Sequence, residues 1–507
     1  MASDAIGLDV VSRVVGYILK KGNFATSTPN LPQRIVILGE ANHDNQGTLD
    51  VTPKEITSAK QAGQLYGYGS PIHVMMRILR PFSGLGVGSI PTIVIPQAAA
   101  GGAAAKVITV AVTGVATGNG THYLKIAGRD NIDGNIYALN IEDGDTIATV
   151  HQKIEDCINN VLSCPMSADS TQYIATLTSK WRGLTANDLT VSVDTGDDDL
   201  GLSYAIVSSQ AGSGTPSIAT ALAAIGNEWA TWLLSGYNAN VSAILDALEA
   251  HNGIALDQNP TGRYSTTNWK PLIALCGSVA DDPSTITDAR DVEMTIALCV
   301  APLSKGLPME AAANYCYLAA LNAQNSPHLD IVGQYLPDMP TPTDIGSMSD
   351  FATRDLIVKK GCSTVALVAS KYQVQDFVTT YHPDGEQPPQ FRHCRSLVID
   401  MNVRYAYFLN EQTDVVDHAI AADDAIVTAT KVIKPKQWKG RCIGMFTDLE
   451  TRALITDTDF STESLTVETS QVNPDRFETF FRYKRTGFVR QAATTAEAVF
   501  NFGTITV

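Results

Sequence analysis

Short apolar runs alternate with stretches of helical period along much of this sequence, and that alternation restricts the fold more than any other feature. Arg34-Ile-Val-Ile-Leu-Gly39 is a brief apolar run closed by glycine, the pattern of a buried strand. Residues 58–66 then read as a helix. A second helix opens at Ser70-Pro71, where serine can cap and proline fits the first helical position, and it places Ile72, Met75, Met76 and Leu79 on one face before Pro81. Residues 92–95 read as another buried strand. Strands alternating with helices predict a parallel, helix-covered sheet.

The rhythm breaks at Gln97-Ala-Ala-Ala-Gly-Gly-Ala-Ala-Ala105, which has the character of a linker. Strand-like runs at 107–115, 122–126 and 137–141 follow, with turn signals at Asp133-Gly134 and Asp143-Gly144. Asp145 is placed to cap a helix carrying Ile147, Val150, Ile154, Ile158 and Val161. Strands at 172–177 and 188–193 precede an acidic, glycine-rich stretch that ends at Gly214. Residues 99–207 are therefore expected to form a small β-rich domain inserted into its host.

After it the βα rhythm resumes. A helix from Thr215-Pro216 to Gly226, a strand at 229–234, a helix through Val241, Ile244, Leu245 and Leu248, strands at 271–276 and 294–300, and a helix at 309–322 complete it. Residues 31–98 and 208–345 should thus make one α/β domain. The Pro337–Pro342 stretch marks the next boundary. Residues 350–490 form an α+β unit with a strand pair at 362–370 and 373–381, helices at 396–407 and 438–455, and strands at 465–469 and 477–484. Two segments, 1–30 and 491–507, have little core of their own, although residues 10–19 and 498–502 are β-prone.

Composition matters here for what it excludes. The 507 residues carry 36 basic and 52 acidic side chains, a net charge of −16, so the surface as a whole repels nucleic acid phosphates. At 44% hydrophobic residues the chain has enough apolar surface to fold, yet no run approaches the ~18 apolar residues of a membrane span. Its start lacks the pattern of a secretory leader. The eight cysteines are scattered through apolar runs, as expected of reduced, buried thiols.

A search for chemistry finds little. Asp194-Thr195-Gly196 matches the aspartic peptidase triplet, but the second copy that a proton-sharing dyad needs is missing, and Asp197-Asp198-Asp199 beside it suits an exposed loop. Asp130, Asp133 and the acidic run lack calcium-loop spacing. Gly84, Gly86 and Gly88 precede a strand, the wrong context for a phosphate loop. His393-Cys394, flanked by Arg392 and Arg395, reads as a surface or interface feature. No catalytic, cofactor-binding or metal-ligating residue is assigned. Basic clustering stands out instead: Lys431 to Arg441 holds Lys434, Lys436 and Lys439 with no acidic residue, and Arg482, Lys484, Arg485 and Arg490 follow.

Taken in order, several segments resemble one family, the contractile tail sheath proteins of myophages in their Mu-like branch. They are Pro32-Gln-Arg-Ile-Val-Ile-Leu-Gly39, Ile56-Thr-Ser-Ala-Lys-Gln-Ala, Leu65-Tyr-Gly-Tyr-Gly-Ser70 and Ala219-Thr-Ala-Leu-Ala-Ala-Ile-Gly-Asn-Glu-Trp229. Leu336-Pro-Asp, Arg354-Asp-Leu-Ile-Val-Lys-Lys-Gly361, Thr379-Thr-Tyr381 and Asn473-Pro-Asp-Arg-Phe477 continue the series. One departure is His382-Pro-Asp-Gly-Glu-Gln-Pro-Pro-Gln390, where the family usually has an Asn/Gly/Asp pattern.

The resemblance implies a structural protein whose α/β domain is subtilisin-like in topology but non-catalytic, with the insertion outside and residues 350–490 inside, facing a tail tube. It implies linking arms at both ends, carried here by Val10, Val11, Val14, Val15 and Tyr17 and by Val499, Phe500 and Phe502, which add strands to neighbouring copies. The implied partners are further copies of the chain in a helical array, the tail tube protein, and baseplate and tail terminator proteins, without nucleic acid contact or membrane insertion. The implied location is a virion tail assembled in the bacterial cytoplasm, and the implied action is contraction that drives the tube through the host envelope for genome ejection. The basic residues Lys434, Lys436, Lys439, Arg441, Arg482, Lys484 and Arg485 are the candidates to face the tube. The alternatives are the sheath of a bacteriocin or secretion machine, and an α/β hydrolase-like enzyme.

Overall fold

The computed structural model describes residues 29–498, apart from Leu85, Leu256, Asp257, Thr343 and Gln387. Strand β1 (Ile35–Glu40) is buried along its whole length, as its unbroken apolar run requires. A short edge strand β2 (Lys54–Glu55) follows, then α1 (Ala59–Tyr66), which the Ser58 hydroxyl caps by accepting from the Gln61 amide. Ser70 does the same for α2 (Pro71–Leu79), accepting from His73, and β3 (Thr92–Gln97) completes the first half.

The insertion is built from two small sheets, a separate two-residue strand pair, one α-helix and a 3-10 turn at Leu184–Asp188. Its strands are β4 (Ala105–Gly114), β5 (Gly120–Ile126), the two-residue pair β6 (Asn131–Ile132) and β7 (Asn135–Ile136), and β8 (Ala138–Ile141). Helix α3 (Ile147–Asn159) comes next, followed by β9 (Met166–Ser170), β10 (Ala175–Arg182), β11 (Val191–Asp194) and β12 (Leu202–Gln210). One sheet runs β12-β4-β10-β9 and the other β11-β5-β8, all antiparallel. Two expectations needed correction. Thr146, not Asp145, caps α3, because the Asp145 carboxylate is taken by the Glu142 amide and Lys153. The stretch read as an acidic linker contains β12, whose apolar Leu202, Tyr204 and Ile206 alternate with Ser203, Ala205 and Val207 and pair with β4.

The host domain then resumes with α4 (Ala219–Ala224), β13 (Trp232–Asn238), α5 (Ser242–Asn252), β14 (Ile273–Ser278), α6 (Ser284–Asp288), β15 (Ile296–Val300) and α7 (Pro308–Asn325). All its strands enter one sheet with β1 and β3, ordered β15-β14-β13-β1-β3-β2. Pairing is parallel throughout except at β2. In chain order the parallel strands run 2-1-3-4-5, the doubly wound order of flavodoxin-like sheets. The mixed α/β fold and the reunion of the two flanking halves are therefore present; the subtilisin-like topology goes further than this strand order does. Helices α2 and α7 pack on each other and on the sheet.

The carboxy-terminal residues divide between two cores. Helix α8 (Phe351–Lys359) and the hairpin β16 (Thr364–Val368) and β17 (Lys371–Asp376) lend Ile357, Val365, Tyr372 and Val374 to the main core, which is shared with the sheet and the insertion. Helix α9 (Cys394–Asp414) begins in that core and ends in a second one. There Ile399, Val403 and Ala406 meet Trp438, Cys442, Phe446 and Leu449 of α10 (Pro435–Thr451), with Phe481 and Tyr483 beside them.

Candidate functional site

Doubly wound sheets bind ligands beyond the carboxyl ends of their strands, where the strand order reverses. In this chain that point lies between β1 and β13, and the inserted domain occupies it. Glu40, the last residue of β1, is only 2% exposed and accepts a hydrogen bond at 2.8 Å from the Thr185 hydroxyl, which in turn accepts from the Trp181 indole at 2.9 Å. Gly183 adopts φ +144, and a β-carbon there would stand 2.9 Å from Glu40 Oε1, so glycine lets the loop reach the carboxyl. At the end of β13, Asn238 donates to Asp188 at 2.9 Å. The position open to a ligand in a doubly wound enzyme is filled here by side chains of the same chain.

Burial sets the electrostatics of this joint. It pushes the Glu40 carboxyl up to about 7, against the Thr185 hydrogen bond that pulls it down. It likewise raises Asp188 to about 6, opposed by the hydrogen bond from Asn238 and by the Lys106 cation. A carboxyl of raised pKa in a cleft is a common mark of catalysis. Here it points at a threonine that is itself held by a tryptophan, with Glu40 Oε1 and the Tyr237 hydroxyl both buried without a partner.

Two arginines, in three ion pairs, clamp the insertion elsewhere. Arg77 on α2 meets Asp133 at 2.7 Å, with side chains 8% and 16% exposed. Arg129 reaches Glu310 at 3.1 Å and Asp338 at 2.5 Å, and also donates to the Asp338 carbonyl at 2.9 Å. Gly69, at φ +80, permits a close approach, since a β-carbon there would meet the Cys164 carbonyl oxygen at 2.2 Å. None of these contacts was anticipated from the sequence. The one local hint was a glutamate ending an otherwise apolar strand, a polar residue in a position that demands burial.

The residues weighed for chemistry fall as follows. Asp194 binds Lys125 at 2.6 Å and receives the Gly196 amide at 3.0 Å, so the Asp-Thr-Gly triplet is a salt-bridged turn. All eight cysteines are free and seven are buried. Burial pushes the thiols of Cys157, Cys276 and Cys442 up to about 12, far from the thiolate a nucleophile requires. His393-Cys394 does not sit at the surface: Cys394 is fully buried, and burial, then the cations of Arg490, Arg392 and Arg395, lowers His393 to about 3. Among the described residues no group of three or more His, Cys, Asp or Glu could hold a metal ion, and no helix is long and apolar enough to cross a membrane.

The basic segments divide into committed and free charges. Arg485 forms a two-pronged pair with Asp400, Nε to Oδ1 at 2.7 Å and Nη2 to Oδ2 at 2.6 Å, and Tyr483 donates to the same carboxylate at 2.7 Å. Arg490 pairs with Asp330, and Lys484 meets Asp457 at 2.5 Å. Lys434 donates to the Ala425 carbonyl at 2.5 Å in the turn before α10. Arg441 stands 3.5 Å from Asp414 with its side chain 65% exposed. Lys436 and Lys439 project from α10 without an ion pair among the described residues, and Arg482 lies over the Phe480 ring. Val10, Val11, Val14, Val15, Tyr17, Val499, Phe500 and Phe502 lie outside the described residues.

No protein-family model matches the chain. It is 23% identical over 435 residues to the Mu-like prophage FluMu tail sheath protein of Haemophilus influenzae, covering 83% of this chain and 84% of that protein. A crystal structure of a sheath tail protein from Desulfitobacterium hafniense superposes at a TM-score of 0.44 and 13% identity, over 93% of this chain and 100% of the other. The resemblance carried by the sequence motifs thus has a counterpart in a tail sheath relative that spans most of the chain.

Proposed function

We propose that this chain is the structural subunit of a contractile phage tail sheath. What carries the reading is the similarity, running through most of the chain, to a protein named as a tail sheath. The filled crevice agrees with it, because the insertion's own side chains occupy the ends of β1 and β13, where a doubly wound fold would hold a ligand.

In this reading copies of the chain meet through heterologous contacts that do not close a ring, which generates a helical tube around an inner tail tube. The segments 1–30 and 491–507 link neighbours by adding strands, so that backbone hydrogen bonds hold the lattice while subunits reorient. The extended array is metastable, and a signal from the baseplate lets the subunits rotate into a shorter, wider packing that drives the tube onward. Residues 350–490 face the tube, with Lys436, Lys439, Arg441 and Arg482 as the basic residues not drawn into close internal pairs. The tail assembles in the bacterial cytoplasm, with the tube, baseplate and terminator proteins as its other partners.

Negative-stain microscopy of the purified full chain tests this. Striated tubes are expected from the intact chain, and a folded monomer without tubes from a chain lacking residues 495–507. An intact chain that stays monomeric at every concentration, or a truncated one that forms normal tubes, refutes the sheath reading or the arm assignment respectively.

A further inference from the structure

The inserted domain carries opposite charge at its two ends. At the end nearest the sheet, a groove of about 550 Å³ opens between the insertion and the 3-10 turn after β1. Lys180 and Arg182, two residues apart on β10, share one face of that strand and line it. Lys180 is half-buried and donates to the Leu162 carbonyl at 3.0 Å, whereas Arg182 is exposed and forms no ion pair among the described residues. The only carboxylate in the lining is Asp44, whose charge acts on Lys180, and His43 and Tyr68 are the titratable rings. Asn42, 8% exposed, also lines the groove with its Oδ1 unpaired. The groove therefore offers cations for a carboxylate and a buried acceptor for an N–H, a combination met by polypeptide rather than by a simple anion.

At the far end, two turns come together. The Thr117 amide donates to the Leu200 carbonyl, the Gly144 amide to the Ala116 carbonyl, and the Ala116 amide to the Asp145 carbonyl. This brings the exposed carboxylates Glu142, Asp143, Asp197, Asp198 and Asp199 to one tip. The nearest basic groups are spent: Lys153 is paired with Asp145 at 2.6 Å, and His122 is buried against Tyr204. The ten-residue strand β4 runs from the groove to the tip, about 30 Å at the rise of a strand. One copy cannot bring its own tip to its own groove.

We infer that the acidic tip of one copy docks in the Lys180–Arg182 groove of a neighbouring copy. The inference rests on the sheath reading, since it needs an array in which insertions follow one another head to tail. Such a contact is heterologous, as a helical array requires, and its charge complementarity fixes register and speeds encounter. Salt weakens it, because both partners are solvent-exposed before they meet.

Arg182→Glu and Asp197→Lys, made singly and together in the full chain, test it. Both side chains are exposed and unpaired within the fold, so the variants should melt like the parent. Each single variant is expected to raise the concentration at which tubes form, followed by sedimentation and microscopy, by about tenfold. The combined variant should lose less than the two effects multiplied, which marks direct coupling. Tubes unaffected by either change overturn the contact and leave the sheath reading standing, and strictly multiplicative losses mean that the two surfaces do not meet. A parent chain that never forms tubes overturns the sheath reading and the contact with it.

Discussion

Raising the pH from 5 to 8 should loosen the joint between the insertion and the sheet, and Glu40→Gln should remove part of that response. Below pH 4.5 the Glu40 carboxyl is protonated whether the chain is folded or not, and contributes nothing. Between 4.5 and about 7 the unfolded chain releases the proton while the buried carboxyl keeps it, so stability falls as pH rises. Above about 7 the folded state carries the full penalty of a buried charge. At roughly 1.4 kcal/mol per pH unit, the interval from 4.5 to about 7 corresponds to about 3 kcal/mol. Asp188 adds a similar slope between 3.8 and about 6. The variant isolates the Glu40 share: its amide oxygen still accepts from Thr185, but its NH2 replaces Oε1, which has no partner. That costs about 1–3 kcal/mol at every pH. Urea unfolding of the monomeric chain at a series of pH values should therefore give a variant that is weaker near pH 5 and comparable to the parent near pH 8. Parallel curves across that range would refute the assignment of a buried, proton-holding carboxyl at the joint.

Two further outcomes follow from the ion pairs. Arg129→Met should cost about 3–5 kcal/mol in calorimetry, because it leaves the nearly inaccessible Glu310 carboxylate without its cation; a loss under 1 kcal/mol would mean that the clamp is not part of the core. Lys436→Glu combined with Lys439→Glu should change stability by less than about 0.5 kcal/mol yet weaken co-sedimentation with tail tubes, whereas Arg485→Glu should destabilise the fold itself by leaving Asp400 unpaired. Tube binding unchanged by the lysine pair would remove α10 from the tube-facing surface.

What the sequence disclosed and what it hid divide by distance along the chain. The start of α2 was legible because a capping serine acts on an amide three residues away, as Ser70 does on His73. The same local logic chose the wrong neighbour at Asp145, where two capping residues adjoin and a lysine eight residues on decided between them. Strand β12 was missed because half its residues are serine, alanine or glutamine and its pairing is with β4, about ninety residues earlier. The candidate site shows this most clearly. Basic runs are visible as composition, but which charges are free is not, since Arg485 is neutralised by Asp400 and Arg490 by Asp330, 85 and 160 positions away. Glu40 and Thr185, 145 positions apart, could not have been paired by any local rule.

The same long-range contacts bear on which parts of the chain can move against one another. The insertion and the sheet share one continuous core, and polar contacts at Glu40, Arg77, Arg129 and Asn238 cross the boundary between the insertion and its host. Close-packed interiors resist sliding, because displaced side chains lose contacts without gaining others. Most buried apolar residues from Ile399 onward, by contrast, form a second core, joined to the first through α9, whose Met401 packs in the first core, and through the Arg490–Asp330 pair and the Arg395 hydrogen bond to the Thr486 carbonyl. If copies of this chain reorient within an array, the insertion must therefore travel with the sheet as one body. Within the described residues, motion then falls to the boundary between the two cores. On that argument a charged contact between tip and groove, if copies make it, would be remade as a unit when neighbours rotate rather than relieved by bending inside either copy.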